Sequence, residues 1–307
     1  MPFGDLRRAL AGAGLTMATA RPAGTHGRSD APVTRPAALI GDPTVRQVVV
    51  GAPTSCPEPM AFLDDIQRHQ VVAYPDTDPL IGATVAAAVR ERHGRHLATA
   101  VHRVEHLLIG RPAALGAVEG LSPTHRRIAL DDDQPSHLVL DLDLAMAKVD
   151  TARAALEVEV GQQYRDQSDG WLVVDGALSV REAWATDPRM LGVSKSHSTM
   201  HFVGDDLRSY LRLPAGCRSS VFRPSSRGAP VHAWGLRLWP WEGRDLLYGL
   251  VRVEAAATDE TLARVDELSR WLLAERAPIS SRDARWDRLL YGIHNVEEYL
   301  RATLGAA

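Results

Sequence analysis

Asp175 closes the apolar run Trp171-Leu-Val-Val-Asp-Gly-Ala-Leu178. A buried strand delivers a carboxylate to its tip in this way, ready for a metal ion. A second acid, Glu254, ends Leu250-Val-Arg-Val-Glu254, another strand with an apolar interior. Facing each other across a sheet, the two would suit a pair of divalent ions about 4 Å apart, which activate water and neutralise the leaving oxygen. Gly176 admits close approach of backbone or substrate. A plainer reading makes Asp175 a loop cap and Glu254 a solvated strand end paired with Arg252. The residues alone leave both readings open.

Lysine occurs only at Lys148 and Lys195 among 35 basic residues. A chain so committed to arginine makes Lys195, in Leu191-Gly-Val-Ser-Lys195, a candidate for contact with phosphate. Between the two acids lie Arg208, Arg212, Arg218, Arg223 and Arg227, interleaved with serines and two aromatics. That composition suits bidentate contacts to a phosphodiester backbone. Trp234, Trp239 and Trp241 offer faces for stacking on bases, but strand tryptophans more often fill a core, which is the expectation for Trp234.

Two competing chemistries are weaker. His102-Arg-Val-Glu-His106 fits the H-x-x-E-H pattern of zinc proteases if the segment is helical, with a third ligand such as Glu157 or Glu159 downstream. Twelve histidines, His93 and His96 among them, make chance matches easy. Gly192-Val-Ser-Lys-Ser196 lacks the second glycine of a nucleophile elbow, so serine hydrolysis has little support.

These groups need elements to hold them. The 307 residues suffice for one large core or two smaller ones. A formal net charge of -3 argues against binding nucleic acid through bulk charge, leaving local arginine surfaces. Cys56 and Cys217 form no CxxC pattern, and no apolar stretch reaches the roughly 20 residues of a membrane span. A cytoplasmic protein without structural zinc or membrane association is expected.

Residues 1–45, with Pro22, Pro32 and Pro36, read as a flexible arm. Residues 46–168 read as a mixed, largely helical region of unknown role: a short strand at 46–50, helices across 79–108, a turn at 131–133, a strand at 138–144 and a helix at 145–164. From 169 to 307 the texture is of strands, at 171–178, 189–195, 199–203, 231–239 and 246–255, followed by helices near 259–275 and 284–303.

Taken in order, Val-Val-Asp-Gly, Gly-Val-Ser-Lys, Leu213-Pro-Ala-Gly-Cys-Arg-Ser-Ser-Val-Phe222, Gly249-Leu-Val-Arg-Val-Glu254 and Arg285-Trp-Asp-Arg-Leu-Leu-Tyr-Gly-Ile-His-Asn-Val-Glu297 resemble the NurA family of DNA-end-processing nucleases over residues 171–304. The resemblance implies an α/β fold, an RNase H-like mixed sheet flanked by helices, to which this chain is expected to add an N-terminal mixed α/β extension. It also implies a Mn2+- or Mg2+-dependent deoxyribonuclease, a homodimer, and a HerA-type hexameric ATPase as partner in DNA repair or anti-phage defence. Carried over by position, Asp175 is the strand-one metal ligand, Glu254 the second and Asp266 a further one, with His294 completing the site and Lys195 near the phosphate. Ala177 stands where the family usually has serine, and Tyr291-Gly292 where Tyr-Pro is expected. The first 170 residues exceed the family's usual lead-in. These departures keep a second expectation in view, a catalytically degenerate adaptor that binds DNA or an ATPase ring.

Overall fold

The computed structural model describes residues 4–17, 33–94, 96–121, 123–131, 133, 135–225, 228–242, 244, 246–276 and 290–304. Its strands in the first half are β1 (Thr16–Met17), β2 (Val33–Thr34), β3 (Ala37–Leu39), β4 (Gln47–Val49), β5 (Met60–Tyr74), β6 (Leu80–His93), β7 (His96–Gly110) and β8 (Arg126–Ala129). The second half adds β9 (Trp171–Asp175), β10 (Met190–Ser194), β11 (Thr199–Met200), β12 (Cys217–Ser219), β13 (Phe222–Pro224), β14 (Val231–Arg237) and β15 (Leu250–Ala256). Helices are α1 (Gly4–Gly12), α2 (Pro112–Gly116), α3 (Leu138–Arg165), α4 (Glu182–Ala185), α5 (Gly204–Leu211), α6 (Asp259–Ala274) and α7 (Tyr291–Thr303).

One mixed sheet carries the fold, in the order β3-β13-β14-β15-β10-β9-β5-β6-β7-β8. β9 sits at its centre, parallel to β10 on one side and to β5 on the other. The sheet therefore runs straight across the boundary expected at 168/169. Alternating side chains separate two cores. Ala61, Leu63, Leu172, Val174 and Met190 pack with Val149, Leu156 and Val160 of α3. Met60, Phe62, Trp171, Val173, Leu191 and Val193 pack with Leu268 and Leu272 of α6 and Ile293 and Val296 of α7. Trp234 is fully buried in this second core, as expected, and its indole N–H donates to Ser269 Oγ at 3.0 Å.

The expected mixed sheet with flanking helices is present, but two local assignments need correction. Residues 79–108, expected to be helical, form the antiparallel hairpin β6–β7, turning at Gly94 with φ 62°. The alanine-rich run Leu80–Val89 is buried without interruption, because β6 has α3 on one face and α7 on the other. Small side chains there serve close helix-on-sheet packing and outweigh helix propensity. Conversely, 138–144 belongs to α3 and is not a strand. His137 caps the helix by accepting from the Leu140 N–H, and the buried positions 142, 145, 149, 152, 156 and 160 follow helical spacing. Asp141 is buried in the helix with its charge met by Arg111, which donates two hydrogen bonds of 2.9 Å to it.

The expected flexible arm is partly built into the fold. Leu6 and Leu10 of α1 pack against Val72, Leu80 and Leu108, and β3 pairs with β13; residues 1–3 and 18–32 lie outside the described residues.

Candidate active site

The parallel register of β5 and β9 pairs Leu63 with Val174, so the next step brings Asp64 beside Asp175. Both continue the face of Phe62 and Val173, under α7. Asp64 is 7% exposed, and its Oδ1 accepts the Asp65 N–H at 2.9 Å. Burial, reinforced by the Asp175 carboxylate, pushes the Asp64 carboxyl well above the usual range, with Lys195 opposing. Lys195 continues the same face of β10 beyond Val193, and its Nζ lies 2.7 Å from Asp175 Oδ2. Two acids and a lone lysine thus meet at the end of the central strand.

On the other face, Asp65 follows Ala61 and Leu63 toward α3. Arg153 Nη1 donates to both its oxygens, at 2.5 and 2.6 Å. Even so, burial outweighs the guanidinium and raises the Asp65 carboxyl. Glu157, one helical turn beyond Arg153, is pushed to about 8, by burial first and then by Asp65; Asp175 adds to the shift, and Arg153 and Arg181 oppose it. Asp64, Asp65, Glu157 and Asp175 therefore act on one another electrostatically around the end of β9.

Sequence reasoning missed Asp64 and Asp65, and weighed Glu157 only as a zinc ligand. A usable signal was present: Met60-Ala-Phe-Leu-Asp-Asp65 is an apolar run closed by acids, like the run that ends at Asp175.

The other expected site residues are distributed differently. Glu254 pairs in register with Gly192, whereas Asp175 pairs with Val193, so Glu254 projects from the face opposite Asp175. It is 2% exposed, accepts the Ser179 N–H at 3.1 Å, and stands 3.2 Å from Arg252 Nε. Asp266, on α6, is held by Arg218 of β12. His294 stands on α7, the helix that packs across β5 and β9 on the Asp64/Asp175 face.

Among the arginines, Arg218 is committed to Asp266 and Arg208 pairs with Asp205 at 2.7 Å. Arg212 caps the C-terminus of α5, Arg223 is exposed on β13, and Arg227 lies outside the described residues. β13 is four strands from β9, about 19 Å at the usual strand spacing. The H-x-x-E-H segment lies in β7, where four residues separate His102 and His106 by about 13 Å along the strand. The zinc-protease reading, which needs one helical turn, falls with that geometry.

Among the described residues, no three of His, Cys, Asp and Glu gather closely enough to cage an ion. The donor chemistry at the end of β9 nevertheless fits a hard divalent cation. Asp64 and Asp175 present carboxylates from adjacent strands, and a positive ion would relieve both the burial of Asp64 and its repulsion by Asp175. Lys195 supplies part of that charge in the structure.

No family model matches the chain, and no curated protein matches it in sequence. Among solved structures, the catalytic domain of human endonuclease V is 14% identical over 81% of this chain and 84% of that one, with a TM-score of 0.36, too low to bear on the fold. The NurA nuclease from Sulfolobus solfataricus is 11% identical over 81% of this chain and 80% of that one, with a TM-score of 0.51. Residues after 170 make up less than half of the chain, so the likeness necessarily includes strands that precede α3. No helix among the described residues is long and apolar enough to cross a membrane. The chain has the fold of the NurA nuclease.

Proposed function

We propose that this protein is a divalent-metal-dependent nuclease that hydrolyses DNA phosphodiesters at the end of β9. The observation that carries the proposal is the pairing of buried Asp64 with half-buried Asp175 on adjacent parallel strands, within a fold shared with a nuclease. Asp64 and Asp175, with Glu157 nearby, would hold Mn2+ or Mg2+, which when bound supplies a Lewis acid and a water of lowered pKa. Lys195 orients Asp175 and offers an ammonium to the scissile phosphate. Arg153 restrains Asp65, keeping a further carboxylate beside the pair. Burial raises the carboxyls of Asp64, Asp65 and Glu157, so protons compete with a cation there more than at free carboxylates, and cation affinity rises with pH.

The finer parts of the proposal are a substrate of DNA ends, a homodimer, and a HerA-type hexameric ATPase that feeds DNA to the site in repair or anti-phage defence. They rest on the NurA resemblance. Arg208, Arg212 and Arg223 would grip the backbone away from the cut; for Arg223 on β13, about 19 Å corresponds to about six nucleotides at 3.4 Å each.

Linear DNA with Mn2+ or Mg2+ provides the test. Asp64→Asn and Asp175→Asn should each lower cleavage about a thousandfold, because each removes transition-state charge stabilisation worth several kcal/mol. Cleavage unchanged in either variant would remove that residue from the site.

A second reading, a non-catalytic adaptor for DNA or an ATPase ring, is favoured by Lys195 seated on Asp175, by the lack of a three-ligand cage among the described residues, and by Ala177. Retained DNA or ATPase binding by a wild-type protein that cleaves nothing with either ion would select it.

A further inference from the structure

The turn that follows Asp175 is held from the opposite side of the sheet. Gly176 leaves β9 with φ 133°, donates its N–H to Val193 O at 3.1 Å, and leads into a short 3-10 turn at Leu178–Val180. That turn folds back onto β10 at Gly192, where a Cβ would lie 2.7 Å from Gly176 O and 2.9 Å from Leu178 Cγ. Only a glycine leaves the space. Gly192 and Glu254 are paired in register, so the gap above the glycine lies directly beside the buried carboxylate.

Glu254 Oε2 accepts the Ser179 N–H, while Ser179 O accepts the Ala229 N–H at 3.0 Å. The turn is therefore anchored through both backbone groups of one residue. Arg252 stands against Glu254 and donates to Ser194 Oγ at 3.3 Å, one residue before Lys195. A single buried ion pair thus ties together the backbone after Asp175 and the strand end before Lys195.

We infer that Glu254, with Gly192 beside it, is the dock of the turn after Asp175: a positioning residue that aims Asp175 and Lys195 and does not itself meet metal or DNA. The inference rests on the proposed site at Asp175 for its functional consequence, but its structural content stands apart. Removing the acceptor frees the Ser179 N–H and lets the turn lift from Gly192. The Asp175 carboxylate then samples directions that do not face Asp64, and a misaimed catalytic group lowers turnover more than substrate binding.

Two substitutions in the full chain test this. Glu254→Leu removes the acceptor at similar volume, whereas Glu254→Gln keeps a carbonyl for the Ser179 N–H. Amide exchange of Gly176–Val180 should quicken about tenfold or more in E254L and stay near wild type in E254Q, with β9 protected in both. With Mn2+ and linear DNA, kcat should fall about a hundredfold in E254L at little change in KM, and within about fivefold in E254Q.

E254Q as inactive as E254L, with the turn still protected, would place the carboxylate in the chemistry and overturn the inference. Wild-type exchange in E254L would overturn it as well. Should E254L fail to fold because Arg252 is left buried and unpaired, E254Q decides alone: retained protection and activity support the dock, and loss of either defeats it. Asp175→Asn separates the two levels. Wild-type cleavage in D175N refutes the site, while the exchange experiment still reports on the dock.

Discussion

Three side chains meet at the tip of β9: Asp175, Asp64 beside it on β5, and Lys195, whose ammonium lies 2.7 Å from Asp175 Oδ2. The lysine partly cancels two adjacent carboxylates, one of them buried, so its removal should be felt most when no cation is bound. Lys195→Met is expected to lower stability on the order of 2 kcal/mol in chelator, through an uncompensated charge pair. Added Mg2+ should then raise Tm more in the variant than in the wild type, because the ion replaces charge that the lysine supplied. Equal Mg2+-dependent shifts would show that Lys195 and the cation do not share a role. Asp175 was legible in sequence because an apolar run stops at it. Asp64 has the same signature, but it lies within a 15-residue strand, and only the pairing of β5 with the shorter β9 leaves it at an open end. Glu254 carried the signature too, yet a one-residue difference in register sends it to the other face.

At the scale of elements, α7 owes its seat to a glycine. A Cβ on Gly292 would lie 2.2 Å from Phe62 Cδ2, so the first turn of the helix rests directly on the β5 ring. This gives Gly292, which stands where the resemblance led to an expectation of proline, a physical reason. Gly292→Ala should destabilise the protein by about 1–3 kcal/mol, the usual range for overpacking a closed contact. Phe62→Leu in the same chain should recover part of that loss; a double-mutant cycle in urea measures the coupling, and strict additivity would show that the two do not touch. Elements with their own local chemistry were legible: β9, β10, β14, β15 and α6 fall close to where the sequence texture places them. The hairpin β6–β7 was not. Its alanines favour a helix in isolation, and what overrides them is burial between α3 and α7, a tertiary fact with no trace in local periodicity.

At the scale of the whole molecule, the central position of β9 decides whether the chain divides. An independent nuclease unit at 169–307 would keep β10, β14, β15, α6 and α7, but β9 would lose its β5 neighbour and become an edge. Leu172, Val174 and Leu178 would lose Leu63 and the α3 side chains Leu156 and Val160, each of them a core residue worth about 1.5–3 kcal/mol when fully buried. α7 would also lose Phe62, the ring on which Gly292 rests, and Asp175 would lose Asp64. With typical domains stable by only about 5–15 kcal/mol, the loss of several such contacts exceeds the margin. A fragment of residues 169–307 should therefore show no cooperative thermal transition by circular dichroism and should aggregate. The full chain should melt as one unit that includes β5 and β9 together, visible as a common loss of amide protection in both strands. A cooperative transition from the fragment alone would mean that the face under α3 is closed by contacts the intact sheet does not use, and that the two halves are separable after all.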